Sequence, residues 1–442
     1  MQTRVSNRFP VILALLIPAL LLLASCAESE DAGDGDTSGL TATSAATAEP
    51  TDEPEEEETE EPGDDVETEG QSGADESQEE ATEEPGDDEE TEDQSGADES
   101  EWVDYEFEIL ATNLDIPWEL VFLPDGDMFI TERPGTVRLF RDGELQDDPI
   151  LEFDDVVHER GAEGGLLGMT LHPDFEENNW IYFYYTYGEG DEWRNRVVRY
   201  EVDGTDFSDR ETIIEDLPGA FTHNGGRIKF GPDERLYVTL GDAQRQDDAQ
   251  DVDVLVAKIL RLNDDGSIPD DNPFNDSPVY ANGLRNPQGI SWHPETGELY
   301  ANQHGPSGND EINLIEPGAN YGWPDMEGFE GEEKDEFTLP VMASGEDTWA
   351  PSGSTFYDGD VFPQWQNEYL MSGLRSVTLY RVDFDSDSEE PELGPIVQGE
   401  YGRLRTVVQG PDGLVYLLTS NRDERQEPDE DDDKLIRIIP AE

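Results

Sequence analysis

The chain has 442 residues and a formal net charge of −83, from 109 Asp and Glu against 26 Lys and Arg. So acidic a surface repels phosphates and excludes nucleic acid as a partner. The single cysteine excludes a disulfide framework, which a core of this size does not need.

Residues 1–26 read as a lipoprotein-type signal. Arg4 and Arg8 precede an apolar run from Val11 to Leu23, and Leu23-Ala24-Ser25-Cys26 closes it. The run is shorter than the roughly 20 residues a membrane-spanning helix needs. Cys26 stands where a lipoprotein thiol receives lipid; the other reading is an ordinary cleaved signal with an incidental cysteine. Residues 27–101 hold thirty-three Asp and Glu and no Lys or Arg. Thr59–Ser77 and Thr82–Ser100 are near-copies of each other. A segment so poor in apolar residues cannot offset its chain entropy, so it is expected to be a disordered acidic tether extended by self-repulsion. Residues 102–442 keep 76 acids and 24 basic residues, a formal charge of −52. Only Lys229, Lys258, Lys334 and Lys434 are lysines. An acidic, lysine-poor surface on an exported protein points to a high-salt setting at the outer face of the cell membrane or in a periplasm.

One phrase recurs six times in this domain: an apolar run, a Pro-containing turn, a second apolar run. The turns are Leu123-Pro124-Asp125-Gly126, His172-Pro173-Asp174-Phe175, Gly231-Pro232-Asp233-Glu234, His293-Pro294-Glu295-Thr296-Gly297, Phe362-Pro363-Gln364 and Gly410-Pro411-Asp412-Gly413. Pro-Asp-Gly supplies turn chemistry, and the alternating runs on either side supply strands. Each period is long enough for a four-stranded antiparallel sheet and a loop. The expected fold is therefore all-β, a six-bladed β-propeller of four-stranded antiparallel blades.

Function in a repeat protein belongs where the repeat is broken. His172 and His293 share one turn slot and read as structural, and His158 has no assigned role. His223 and His304 occupy no repeated slot and adjoin glycines, in Thr222-His223-Asn224-Gly225-Gly226-Arg227 and Gln303-His304-Gly305-Pro306. Glycine lets a backbone approach a ligand, and histidine is a natural base near neutral pH. Arg285, in Gly283-Leu284-Arg285-Asn286-Pro287-Gln288-Gly289, and the pair Arg403 and Arg405 are candidate anion contacts. In a strand, Arg403 and Arg405 share a face. Pairing with surface acids is their other reading.

In order, Glu163-Gly164-Gly165-Leu166-Leu167-Gly168, Leu171-His172-Pro173-Asp174-Phe175, His223 to Arg227, Tyr237 to Asp242, Gly283 to Gly289, His304-Gly305-Pro306 with Asp310-Glu311-Ile312-Asn313, and Asn320-Tyr321-Gly322-Trp323-Pro324 resemble the soluble quinoprotein sugar dehydrogenases. These are the glucose and aldose sugar dehydrogenases that use pyrroloquinoline quinone (PQQ). The resemblance spans Phe107 to Pro440 and implies a six-bladed propeller, a PQQ cofactor and Ca2+. It implies that His223 is the base taking the proton of the anomeric hydroxyl, and that Arg285 and Asn286 contact the cofactor. It places Gly305 and Pro306 as carbonyl ligands of a calcium ion, and Arg403 and Arg405 on the cofactor carboxylates. Glu311, with the backbone of Tyr321, resembles a second, structural calcium site. Glu163 and His304 stand where glucose-specific members have glutamine, and Arg375 where they have a cofactor-facing lysine; the first two resemble the aldose sugar dehydrogenase branch. Thr222 leaves His223 no neighbouring acid in the chain to orient its ring.

The implied activity is oxidation of an aldose at the anomeric carbon to the lactone, by hydride transfer to the quinone, with electrons leaving to a quinone or cytochrome. Two rival readings share the architecture: a calcium-dependent lactone hydrolase and a non-catalytic binding propeller.

Overall fold

Six antiparallel sheets follow one another along the chain, with a two-stranded hairpin inserted in the fourth. The computed structural model describes residues 102–190, 192–331, 334–384 and 391–441. The signal with Cys26 and the acidic tether lie outside the described residues.

Each sheet begins with one strand of an inner ring: Pro117–Phe122, Leu166–Leu171, Ile228–Phe230, Pro287–Trp292, Pro351–Phe356 and Leu404–Gln409. First strands of neighbouring sheets touch each other around this ring, and between the third and fourth sheets Leu236–Leu240 meets Pro287–Trp292. The second strands are Met128–Glu132, Trp180–Glu189, Leu236–Leu240, Leu299–Gln303, Tyr369–Gly373 and Val415–Thr419. Between each first and second strand lies one of the six Pro-containing turns, so the repeated phrase is the inner hairpin of a blade. The expected six-bladed all-β propeller is the observed fold. The first blade departs from four strands: Thr136–Arg141 is bordered by two short strands, Glu144–Leu145 and Leu151–Glu152. The sixth blade is closed by the start of the domain, because Tyr105–Ala111 pairs antiparallel with Leu435–Pro440.

The turn chemistry is specific. Asp233 accepts the Arg235 N–H at 3.2 Å and the Tyr237 hydroxyl at 3.1 Å. Asp412 repeats this with Leu414 at 3.1 Å and Tyr416 at 2.8 Å. A Cβ on Gly231 would press on Asp233, Tyr237 and Trp292, and one on Gly410 on Asp412, Tyr416 and Phe122. The aromatic third partner comes from the next blade, so each turn also locks neighbours together. His172 and His293 use Nδ1 to accept the N–H groups of Asp174 and Glu295, at 3.0 and 3.2 Å. They are structural, as their shared slot implied.

Among the described residues the core is divided. Six apolar clusters each lie between adjacent blades. Phe129 and Val137 of the first blade pack with Phe183 and Val198 of the second. Leu120 and Ile130 pack with Leu418 and Leu435 of the sixth. Each fully buried Val, Leu or Phe contributes about 1.5–3 kcal/mol, so each blade is stabilised by its two neighbours. Arg227, 1% exposed, ties blades across the axis. Its Nε donates to the Gln288 carbonyl at 2.8 Å, its Nη1 to Thr406 at 3.1 Å and to Glu119, and its guanidinium lies 4.0 Å from the Trp118 ring centroid.

Candidate active site

The Pro turns lie at one end of every blade. The opposite end is therefore built from two kinds of junction: the residues just beyond each second strand and those just before each first strand. Arg133, Asp242, His304, Arg375 and Asp423 come from the first kind. Glu163, His223, Arg285, Asn286 and Arg403 come from the second kind, and Arg405 opens a first strand.

His223 sits at φ +62 in a backbone that doubles back on itself. A Cβ on Gly241 would overlap the His223 carbonyl oxygen, so only glycine lets the two segments meet. That approach brings Asp242 to the imidazole. Nδ1 of His223 lies 2.8 Å from Asp242 Oδ1, and Asp242 Oδ2 accepts the Trp323 Nε1–H at 3.0 Å. Asp242 is 2% exposed. A buried carboxylate facing Nδ1 holds the proton there and leaves the Nε2 lone pair free. Orientation missing from the neighbouring position, Thr222, thus comes from across the site. The His223 N–H donates to Glu163 Oε2 at 2.8 Å.

Beside this histidine is a cavity of about 230 Å³ lined by Arg133, Arg375, Arg403, Arg405 and Arg425, with Glu163, His304 and Asp423. In so acidic a chain this concentration of arginine is directed at something. Arg403 donates to Asp423 through Nε at 3.0 Å and Nη2 at 2.7 Å. Arg405 Nη2 reaches the same Oδ2 at 3.9 Å and its Nη1 donates to Gln288 at 2.8 Å. Arg403 precedes the strand rather than lying in it, yet both guanidiniums converge, and their shared acid is buried rather than on the surface. Arg133 is held by the carbonyls of Ala162 and Gly164. Burial pushes Arg405 down to about 9, with Arg133 next in effect, and lowers Arg133 and Arg285 as well. Nε of Arg133, Arg285 and Arg405 and Nδ2 of Asn286 are buried without a hydrogen-bond partner among the described residues. These orphaned donors fit a polyanionic ligand such as PQQ, whose carboxylates would satisfy them.

Arg285 donates to the carbonyls of Gly305 at 2.8 Å and His304 at 3.3 Å and lies 5.3 Å from the Trp323 ring centroid. Asn286 accepts the Gly225 N–H at 3.0 Å. His304 Nε2 faces the Pro351 carbonyl at 2.8 Å, and burial pushes its ring down to about 3, so it is neutral. Burial raises Glu163, while His304, the His223 N–H and Arg425, 3.4 Å away, pull it down to below the usual range. Arg375 lines the cavity from an exposed position.

Glu311 is 4% exposed and accepts from Gln303, Asn313 and the Gly328 N–H, at 2.5, 3.0 and 2.8 Å. Burial still pushes it up to about 7. The Tyr321 side chain is in the core and its N–H donates to the Asn282 carbonyl. Among the described residues no group of three or more His, Cys, Asp or Glu gathers around a metal position.

Arg133, Asp242, Asp423 and Arg425 were not singled out in the chain. A weaker signal for most of them existed: Arg133, Asp242, His304, Arg375 and Asp423 all follow a second strand within a few residues, although their distances from the turn prolines differ.

Fold and site together define a propeller with a carboxylate-paired histidine and an arginine-lined cavity at the end away from its turns. The sequence profile of the Glucose / Sorbosone dehydrogenase family matches residues 114–428, and the chain belongs to that family. It is 36% identical over 355 residues to the aldose sugar dehydrogenase YliI of Escherichia coli, covering 75% of this chain and 92% of that protein. Quinoprotein glucose dehydrogenase B of Acinetobacter calcoaceticus is 27% identical over 74% of this chain and 87% of its own length. The PQQ-bound structure of aldose sugar dehydrogenase from Streptomyces coelicolor superposes with a TM-score of 0.67 at 34% identity, covering 77% of this chain and 99% of that one.

Proposed function

We propose that this protein is a PQQ-dependent dehydrogenase that oxidises an aldose at its anomeric carbon to the lactone, with His223 as general base. The observation that carries this reading is the His223–Asp242 pair beside a cavity where buried arginine nitrogens lack partners among the described residues. The relatives named as aldose sugar and quinoprotein dehydrogenases support it.

When bound, PQQ would supply the two-electron acceptor for the hydride of the anomeric carbon. Everything else is the work of side chains. Nε2 of His223 takes the anomeric hydroxyl proton while Asp242 steadies the imidazolium that results. Glu163, kept ionised, offers an acceptor to a sugar hydroxyl and holds the His223 backbone in place. Arg285 and Asn286 offer donors to the reacting end of the cofactor, and Arg133, Arg403 and Arg405 hold its carboxylates. His304 and Arg375 border it. Gly305 and Pro306 carbonyls would hold one calcium ion and Glu311, with the Tyr321 carbonyl, another; hard oxygen donors suit that ion. The electrons leave to a quinone or cytochrome. Export and lipid attachment at Cys26, in a high-salt setting, belong to the same reading; mass spectrometry finding an unlipidated mature N-terminus would end that part.

The test is a titration of cofactor-free protein with PQQ, with and without calcium, following dye reduction by aldoses and the binding itself by fluorescence. Stoichiometric, calcium-dependent activity is expected. A folded, calcium-loaded protein that binds no quinone would instead bring forward the lactone-hydrolase and scaffold readings.

A further inference from the structure

The turn end of the propeller has a cavity of its own, of about 590 Å³, which shares no residue with the arginine-lined one. It is the mouth of the axis, walled by first strands and by the turn residues Pro173, Pro232 and Pro411. Arg227 stands between the two cavities. It donates to the carbonyl of Gln288, which lines the first, and to Glu119, which lines the second. Two residues on from Glu119, Gly168, Arg227, Gly353 and Thr406 come Val121, Thr170, Lys229, Thr355 and Val408, and all five of these line the mouth. Four of them are short and uncharged, which keeps the mouth open; Lys229 is the exception.

Lys229 is one of only four lysines in the chain. Lys434 pairs with Asp431 and Asp432, and Lys258 is enclosed by the carbonyls of Ala249 and Val256, both at 2.7 Å. Lys229 has no ion pair among the described residues. Its Nζ donates to the Ser354 carbonyl of the fifth blade at 2.9 Å, and an ammonium has two further N–H groups to place. The acid that acts on it, Glu119, is already committed to Arg227 and to the Leu120 N–H. Burial pushes the amine down to about 8, with Glu119 opposing, so at neutral pH it is a cation without a counter-ion, a costly state inside a protein. Around it the half-buried Phe122, Leu171, Phe230 and Trp292 extend an apolar wall. The hydroxyls of Thr170 and Thr355 reach only the carbonyls of the next residue, at 3.4 and 3.2 Å, and can turn to a ligand.

We propose that the axial mouth at the turn end is a binding site for a small amphipathic monocarboxylate, with its head on Lys229 and its hydrocarbon body against the apolar wall. The site is independent of the dehydrogenase reading. A carboxylate supplies the missing counter-ion and accepts the two remaining N–H groups in charge-assisted hydrogen bonds. The cavity has the size of an ordinary small-molecule site, about 300–1,000 Å³. A cation is repelled by Lys229, and a sugar would set its hydroxyls against hydrocarbon. Carboxylates of the bordering turns are themselves engaged, Asp233 by Arg261 and Tyr237, Asp412 by Leu414 and Tyr416.

The experiment is calorimetry on the full chain without cofactor, in about 1 M sodium chloride, which screens the surface acids. The probes are butanoate, hexanoate and octanoate, with octanol and octylammonium as uncharged and cationic counterparts. One octanoate should bind per chain, with affinity rising about fourfold for each methylene added. Octanoate should bind about tenfold or more tightly than octanol, and octylammonium more weakly than either. Lys229→Met should abolish the preference of octanoate over octanol, and Lys229→Arg should keep it. A folded chain that binds no octanoate overturns the proposal. So does octanol binding as tightly as octanoate, or octanoate binding unchanged in Lys229→Met. Should Lys229→Met fail to fold, Val408→Phe carries the test, because it narrows the mouth and leaves the ammonium in place. Octanoate affinity should fall about tenfold or more there; unchanged affinity places the octanoate elsewhere and overturns the site.

Discussion

His223 and Asp242 show how a residue's role depends on a partner far along the chain. The imidazole could be suspected because it broke the repeat, but Asp242 sits 2.8 Å from it only after two segments cross at Gly241. His223→Gln should lower kcat by about 10²- to 10⁴-fold, with PQQ affinity nearly unchanged. Asp242→Asn should also lower kcat, because an amide can donate to Nδ1 and so place the ring proton on Nε2, where it blocks base action. Stopped-flow reduction of bound quinone would check both; an Asp242→Asn protein as fast as the parent would show that the carboxylate does not set the tautomer. Glu368 makes a prediction about stability. Burial pushes it up to about 7, against the pull of Arg381, and its Oε2 is buried without a partner among the described residues. Its folded pKa exceeds the unfolded value of about 4.5, so between those values the folded state holds more protons. The stabilisation is present in full below about 4.5 and is lost as pH rises through 7. Glu368→Gln removes that slope and keeps an acceptor for Arg381. Its Tm should therefore gain on the parent as pH goes from 5 to 8, and a constant difference in melting curves would contradict the shift.

At the scale of elements, the blades were legible and the junctions only partly so. The six inner hairpins announce themselves because a turn such as Gly231-Pro232-Asp233 is local chemistry, with its hydrogen bonds within four residues. The inserted hairpin Met326–Glu327 with Glu330–Gly331 and the split edge of the first blade carry no such phrase and were not foreseen. The closing strand Tyr105–Ala111 finds its partner more than 300 residues later, and only register, not spacing, reveals it. In the site, Arg403 and Arg405 were visible as a pair, whereas Arg133 and Asp423, which share their cavity, stand alone in the chain. Gly241 offers a direct test of how elements build the base. Alanine there must displace the His223 carbonyl, so Gly241→Ala should cost about 1–3 kcal/mol of stability, the usual price of overpacking. It should lower kcat more than it weakens PQQ binding, since the arginines lie on other junctions. Thermal melts and a fluorescence titration separate the two effects; intact kcat would mean the loop tolerates the shift.

For the whole molecule, charge and architecture pull in opposite directions. The propeller distributes its burial over six inter-blade clusters, so no one of them is large, while 76 acids against 24 basic residues in 102–442 repel one another across every interface. Of the few cations, some are spent inside, on the axis with Arg227 and in the cavity with Arg133 and Arg405, and others pair with acids nearer the surface, as Arg245 with Asp248 and Arg437 with Glu108. Screening acts on the surface charges first: the Debye length falls from about 10 Å at 0.1 M salt to about 3 Å at 1 M. Stability should therefore climb over that range and flatten beyond it, where screening has nothing further to remove. Buried arginines are screened far less, so PQQ affinity should change little over the same range. Melting curves in sodium chloride, with sucrose as a control for general exclusion effects, distinguish this from ordinary stabilisation by cosolutes. A Tm that does not respond to salt between 0.1 and 1 M would mean that the surface acids are already neutralised by local pairing. The acidity of the domain would then say nothing about the medium it works in.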